Sequence, residues 1–409
     1  MKWASVVSEK TNLDEAFQEA AAEIRSGLQG ESPHLTVAFL SEQHRDDFAQ
    51  VPHLFQQYVG GGVLLGCSAG GVIGGGHEVE GRTGLSLTAG WMPGVQVIPF
   101  HVLSEELPEP GAPAQAWETL LGVPPQSRPN FLLIPDPFSM DAERVLQEMD
   151  RIYPGSCKVG GVASGGRAPG ETCLFLGDTV HRSGMVGVAL SGDIQVDAIV
   201  AQGCRPIGEP MFVTSCQDNL IFALDGDPPR ETMQGLYRIL DEADRELFLG
   251  SLFLGIVMRE HQDRYAQGDF LMRNLLGVDP DSGALAVGTV LHENMVVQFH
   301  LRDARTSAED LGELLAGFRR SRQSGQTEGA LLFSCLGRGS RLYGHVDHDT
   351  DAFREHLGSV PLGGFFCNGE IGPVQGSTFV HGYTSSFGLF SSPQAADPEP
   401  DRPPTVTGG

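Results

Sequence analysis

The stretch Val63-Leu64-Leu65-Gly66-Cys67-Ser68-Ala69-Gly70-Gly71 decides the fold: an apolar strand runs into a turn so rich in glycine that backbone, not side chains, must shape it. Upstream lie an apolar strand, Leu35 to Leu40, and a helix-compatible segment, Asp46 to Tyr58, interrupted by Pro52. The order strand, helix, strand, glycine turn then returns twice. Phe131 to Ile134, Asp141 to Ile152 and Gly161-Val162-Ala163-Ser164-Gly165-Gly166 form the second copy. Leu331 to Cys335, Thr350 to Leu357 and Gly364-Phe365-Phe366-Cys367-Asn368-Gly369 form the third. Aligned on the turns, the copies share Gly-x-x-x-[Gly/Asn]-Gly, and each strand-to-turn offset is roughly 30 residues, the length of one crossover unit.

Working outward, Leu13, Phe17, Ala20, Ile24 and Leu28 recur at helical spacing behind an Asn12-x-x-Glu15 capping box. Three hairpins are expected: Leu85 to Leu87 with Val95 to Ile98 around Pro93-Gly94, Met185 to Leu190 with Ile194 to Val200, and Leu285 to Leu291 with Met295 to Leu301. Met233, Leu236, Tyr237 and Leu240 mark a further helix, and Leu311, Leu314, Leu315 and Phe318 another, opened by Thr306-x-x-Glu309. The expected fold is α/β, mixed α+β in detail: repeated strand-helix-strand-glycine-turn modules with added hairpins, in mixed sheets covered by helices. A boundary expected between Thr214 and Pro229 divides the 409 residues into domains 1–215 and 216–391, and residues 392–409, rich in proline and polar side chains, read as a disordered tail.

Composition narrows the function. Acidic residues outnumber basic ones, 52 to 27, for a net charge of −25, and only Lys2, Lys10 and Lys158 are lysines. Such a surface repels phosphate backbones and anionic headgroups, so neither nucleic acid nor membrane is an expected partner. The longest apolar run, Leu247 to Met258, is too short to span a bilayer, and the start of the chain has no secretory pattern, so a cytoplasmic protein is expected. Seven cysteines (67, 157, 173, 204, 216, 335 and 367) without Cys-x-x-Cys spacing read as reduced thiols.

Several motifs invite chemistry and then withhold it. Gly66-Cys67-Ser68-Ala69-Gly70 fits the nucleophile elbow Gly-x-Ser-x-Gly, but Gly71-Val72-Ile73-Gly74-Gly75-Gly76 cannot start the helix that an elbow requires. No phosphate-loop pattern is present, and the glycine turns lead into strand-like sequence. His345-Val346-Asp347-His348-Asp349-Thr350-Asp351 is metal-like in composition, yet it also reads as a loop whose acids favour the start of the next helix. Cys67, Cys335 and Cys367 stand at strand ends where ligand loops of α/β sheets gather; a thiolate nucleophile would need a nearby base or cation. Neither metal nor cofactor is expected, and an enzyme is the less favoured class.

The run Phe333-Ser334-Cys335-Leu336-Gly337-Arg338-Gly339, with Leu342-Tyr343-Gly344 and then Val360-Pro361-Leu362-Gly363-Gly364-Phe365-Phe366-Cys367-Asn368-Gly369-Glu370-Ile371-Gly372-Pro373, resembles the C-terminal domain of the FIST family. Leu65-Gly66-Cys67-Ser68-Ala69-Gly70-Gly71-Val72-Ile73-Gly74 resembles its N-terminal domain, so the likeness covers about residues 30 to 390. The resemblance implies a sensory module for small ligands such as amino acids, joined in bacterial members to signalling domains and in eukaryotic ones to an F-box. Neither attachment is recognised here, so signalling is expected to pass through a separate protein partner. On the residues themselves, glycine turns offer backbone N–H groups to an anion, Arg338 or Arg341 suits a carboxylate, and Asn368 with Glu370 suits an ammonium. The candidate ligand-binding residues for a small polar metabolite are therefore Cys67, Ser68, Ser164, Cys335, Arg338, Arg341, Asn368 and Glu370. The rivals are an interaction scaffold without ligand and a thiol-dependent enzyme.

Overall fold

Each copy of the repeat begins one strand and one helix earlier than the sequence pattern shows. In a computed structural model describing residues 1–259, 262, 264–321 and 326–393, the first copy runs β1 (Lys2–Ser8), α1 (Leu13–Gly27), β2 (Leu35–Ser41), α2 (Val51–Tyr58), β3 (Val63–Ala69), β4 (Gly71–Gly74), β5 (His77–Glu80) and β6 (Leu85–Trp91). The second repeats it as β7 (Val95–Val102), α3 (Ala114–Leu121), β8 (Asn130–Pro135), α4 (Ala142–Ile152), β9 (Lys158–Gly161), β10 (Leu174–Leu176), β11 (Thr179–His181) and β12 (Met185–Gly192). The third starts with β13 (Gln195–Gln202), is interrupted by a barrel, and resumes downstream. The barrel comprises β14 (Cys204–Gln217), β15 (Leu220–Leu224), helices α5 (Pro229–Ile239) and α6 (Glu242–Gly250), then β16 (Leu252–Val257), β17 (Phe270–Val278), β18 (Leu285–Val287) and β19 (Val296–Arg302). Thereafter come α7 (Ala304–Ser321), β20 (Gly329–Cys335), α8 (Ser340–Tyr343), α9 (His348–Leu357), β21 (Leu362–Cys367), β22 (Glu370–Val374), β23 (Ser377–His381) and β24 (Thr384–Ser391). The expected tail lies outside the described residues beyond Pro393.

Local chemistry explains several of these bounds. Asn12 accepts from Glu15 N and starts α1, and Asp141 does the same for α4 through Arg144 N. Pro52 does not break its segment: it sits in the first turn of α2, where a missing N–H is harmless, after a 3-10 stretch over Glu42–Gln50. Helix α7 begins ahead of the expected capping box, because Asp303 Oδ1 accepts from Thr306 N.

Each repeat supplies one parallel pair, β2–β3, β8–β9 or β20–β21, to its own sheet, and sends the hairpin after its glycine turn to another. The orders are β1-β6-β2-β3-β10-β11, β7-β12-β8-β9-β22-β23 and β13-β24-β20-β21-β4-β5, so all three sheets have one plan and every hairpin is exchanged in a cycle. The three hairpins expected from sequence are thereby corrected. Strands β6 and β7, β12 and β13, and β18 and β19 do not pair; the first two couples part into different sheets and the third into different ladders of the barrel. True hairpins form instead at β4–β5, β10–β11 and β22–β23. Since all three sheets face one core, a strand leaving one can bury its apolar side equally well in the next.

The register of the repeat also moves by one residue in its second copy. Gly66, Gly160 and Gly364 are the equivalent positions: a Cβ there would lie 1.8, 1.9 and 1.9 Å from the carbonyl oxygens of Ala38, Leu133 and Leu332 on the neighbouring parallel strand. The turns therefore align as Gly66–Gly71, Gly160–Gly165 and Gly364–Gly369, with Gly70, Ser164 and Asn368 equivalent.

Inside the three sheets lies one shared core. Phe39, Leu132, Ile134, Leu331, Phe333 and Phe365 meet there, with the rings of Phe39 and Phe365 stacked 4.4 Å apart. Their strands are buried on both faces and read as unbroken apolar runs for that reason. Helices α1 and α2, α3 and α4, and α7 and α9 cover the outer faces over separate clusters. The barrel has its own core around Ile221, Leu254, Leu285 and Phe299. The expected boundary region, 214–229, falls within the barrel, and strands from both sides of it pair in two of the sheets.

Candidate functional site

The three glycine turns do converge, but onto one another. Ser68 Oγ donates to Ser164 O (2.9 Å) and accepts from Cys173 N (3.0 Å). Ser164 Oγ donates to Phe366 O (2.5 Å) and accepts from Gly70 N (2.9 Å). Asn368 donates from its side chain to Ala163 O (2.9 Å) and from its backbone to Val162 O (3.1 Å). Buried backbone groups must find partners, and these find them in the neighbouring turns. The expectation that the turns hold free N–H groups toward an anion gives way to a closed knot, in which Ser68 and Ser164 are fully buried fasteners. Cys67 packs in the central core, where burial raises its thiol pKa well above the ordinary value.

Arg338 is likewise fully buried, away from solvent. Its Nε and one terminal nitrogen fork onto the Asp349 carboxylate at 2.9 and 3.0 Å, while the remaining donors reach Ser307 Oγ (2.7 Å) and Tyr343 OH (2.6 Å). Asp349 also accepts from Ser334 Oγ (3.2 Å) and Ser385 Oγ (2.5 Å), tying α9 to β20 and β24. Burial disfavours both charges, but each partner outweighs it for the other, so the Arg338 pKa is raised and the Asp349 pKa lowered. The His345–Asp351 segment is consumed the same way: Asp347 accepts from Glu78 N (2.6 Å) and pairs with His77, and the His348 ring stacks 3.3 Å from that of Tyr343. Among the described residues no group of three or more His, Cys, Asp or Glu side chains is placed to hold a metal.

What remains open is a cavity of about 450 Å³ beside the third turn. Its floor holds Cys335 and Cys367, registered neighbours at the ends of β20 and β21, with Asn368 beside them and Arg341 at the margin. The facing wall is built by the barrel: Arg273 and Asn274 of β17. Tyr383, held at φ +65°, leans in from the segment before β24, donates its hydroxyl to Asn274 Oδ1 and lies under the Arg302 guanidinium at 5.1 Å. Arg273 is tied to Glu143 (2.6 Å), whereas the Arg341 guanidinium has no protein partner among the described residues. Three of the eight expected residues, Cys335, Arg341 and Asn368, thus line one cavity, with Cys367 beside them; Cys67, Ser68, Ser164, Arg338 and Glu370 do not.

Glu370 sits fully buried just beneath, accepting from Thr384 N (3.1 Å) and Thr384 Oγ1 (2.8 Å) and from the Cys367 thiol (3.3 Å). Burial outweighs these bonds and raises its pKa to about 7. Burial, reinforced by the Glu370 carboxylate, pushes Cys335 up to about 12 and Cys367 well above the ordinary thiol value. A raised carboxyl pKa means that the folded state binds the proton more tightly than the unfolded chain. This contribution is therefore complete below the ordinary 4.5 and is lost as pH climbs toward about 7. Glu370→Gln, which stays neutral, should flatten the fall in unfolding temperature over that window; an unchanged slope in a fluorimetric pH series would rule the buried carboxyl out as its source.

Sequence reasoning missed Arg273, Asn274 and Tyr383. The Arg273-Asn274 pair within the otherwise apolar Phe270–Val278 run was an available signal; the backbone of Tyr383 left none.

The sequence matches the FIST N domain over residues 34–227 and the FIST C domain over 233–373. An uncharacterized protein of Mycobacterium tuberculosis is 38% identical over 384 residues, 94% of this chain and 98% of its own length. A second, from Mycobacterium bovis, is 37% identical over 376 residues, 92% and 95% of the two chains. F-box only protein 22 of Homo sapiens is 54% identical over 44 residues, 10% of each. With both domain matches in sequence and the mycobacterial proteins aligned nearly end to end, the chain belongs to the FIST family.

Proposed function

We propose that the protein is a cytoplasmic sensory protein that binds a small polar metabolite and signals through a separate protein partner. Family membership supports a sensory role, and the cavity beside the third turn carries the reading. It offers the unpaired Arg341 guanidinium to a carboxylate, as a free amino acid or organic acid presents, with Asn368 and Asn274 beside it for a polar substituent. The cytoplasmic setting is favoured by seven free cysteines, and no helix among the described residues is long and apolar enough to cross a membrane. Thiol catalysis is disfavoured, because burial and the Glu370 carboxylate outweigh the Arg302 guanidinium near Cys335 and keep both thiols protonated at neutral pH.

A thermal-shift screen against free amino acids and small organic acids should yield at least one ligand that raises the unfolding temperature of the wild type and fails to do so with Arg341→Ala. Arg341 is exposed, so the substitution spares the fold. Absence of any shift across the panel, or shifts that survive both Arg341→Ala and Asn368→Ala, would remove the ligand site from this cavity.

A further inference from the structure

The two barrel helices bury only part of the apolar faces that their sequences carry, packing Met233, Leu236, Leu240, Leu247 and Phe248 partly against the barrel core. Met233, Leu236, Tyr237 and Leu240 give α5 an apolar stripe, and Leu247 and Phe248 continue it on α6, yet α5 fully buries only Pro229 and α6 buries nothing. Between them and the end of β17 runs a groove of about 460 Å³, with Met233, Tyr237, Phe248, Leu249 and Val278 among its lining. Leu249 is 77% exposed and Ile239 76%, and with Phe212, Phe222, Leu276 and Val290 the barrel carries most of the large apolar side chains that stand exposed among the described residues. An amphipathic helix left half-covered needs a partner for its stripe.

Charge specifies that partner. On a chain whose net charge is −25, the groove is lined by Arg230 and Arg238, neither paired with an acid among the described residues, while Arg245 lies outside the lining, 5.5 Å over the Tyr237 ring. No acid is in the groove's lining: Glu231, Glu242 and Glu246 of the same helices lie outside it, and Asp279 turns its carboxylate into its own loop, accepting from Asp281 N, Ser282 N and Ser282 Oγ. We propose that this groove docks an amphipathic helix of a separate protein, presenting bulky apolar side chains one turn apart with aspartates or glutamates alongside. The groove and the cavity share a strand: β17 supplies Arg273 and Asn274 to one and Val278 to the other, with a bulge between Leu275 and Gly277. That the docked helix reads out the cavity rests on the ligand-binding reading above; docking itself does not.

The test is fluorescence anisotropy with labelled peptides of about 18 residues, long enough to form a helix on the surface, carrying Leu and Phe at i, i+3, i+7 and either glutamate or lysine elsewhere. The full chain should bind glutamate peptides and not lysine peptides, more weakly as salt rises. Arg230→Glu with Arg238→Glu, and separately Leu249→Glu, all exposed positions, should each weaken binding by about tenfold or more. Equal binding of both peptide sets, binding of neither, or indifference to these substitutions overturns the proposal. So does sedimentation showing a self-associated protein that Leu249→Glu turns monomeric, which assigns the groove to a second copy. Because the peptides are measured without metabolite and the thermal screen without peptide, the failure of either reading leaves the other standing.

Discussion

Gly364→Ala and Gly66→Ala should each cost more than about 3 kcal/mol, at or beyond the upper end of overpacking penalties, and should leave little folded protein in the soluble fraction. At both positions the added methyl would stand within 1.9 Å of a carbonyl oxygen on the adjacent parallel strand, and that obstacle is backbone, which cannot rotate away. Relief requires the pair to separate, and each pair flanks the shared core through Phe39 or Phe365. Gly376→Ala is the control. It lies in the β22–β23 turn at φ +88° with nothing within 4 Å of a Cβ, so it should lose only about 1 kcal/mol, the penalty of a left-handed backbone. Circular dichroism and denaturant midpoints compare the three; equal losses at Gly364 and Gly376 would mean that backbone conformation, and not close approach, fixes these glycines.

Arg338→Met should destabilise the fold by about 3–5 kcal/mol, because it strands the Asp349 carboxylate in an interior where only the Ser334 and Ser385 hydroxyls and the His348 ring remain to satisfy it. The pair variant Arg338→Met with Asp349→Leu should recover much of that loss, since no buried charge is then left uncompensated. A urea-melt double-mutant cycle measures the coupling. If the pair variant is as unstable as the sum of the single ones, the two side chains act separately. Metabolite shifts in the pair variant, judged against its own baseline, should persist, since Arg338 does not line the cavity.

The repeat was legible because its strands are buried on both faces and its turns need glycine, two constraints that leave local marks. Gly160-Gly161 shows where such reading slips: two adjacent glycines satisfy the pattern equally, and only the approach to Leu133 O selects the first. The exchange of hairpins leaves no local mark, since Pro93-Gly94 reads as a hairpin turn whether the next strand returns or departs. Arg338 and Arg341 look alike beside Cys335, yet one is enclosed by Asp349, eleven residues on, and the other faces the opening. The second wall of the candidate site left only the Arg273-Asn274 pair as a mark, because it comes from β17, a strand of the inserted barrel whose approach to the third turn no local pattern shows.

The cyclic hairpin exchange bears on biogenesis. A nascent chain that has made β4 and β5 carries the unpaired edge of β4 until β21 emerges nearly three hundred residues later, and the carboxyl group of Glu78 waits almost as long for Thr350 N. Such remote closure makes folding slow, and exposed apolar edges during synthesis are the surfaces that holding chaperones protect.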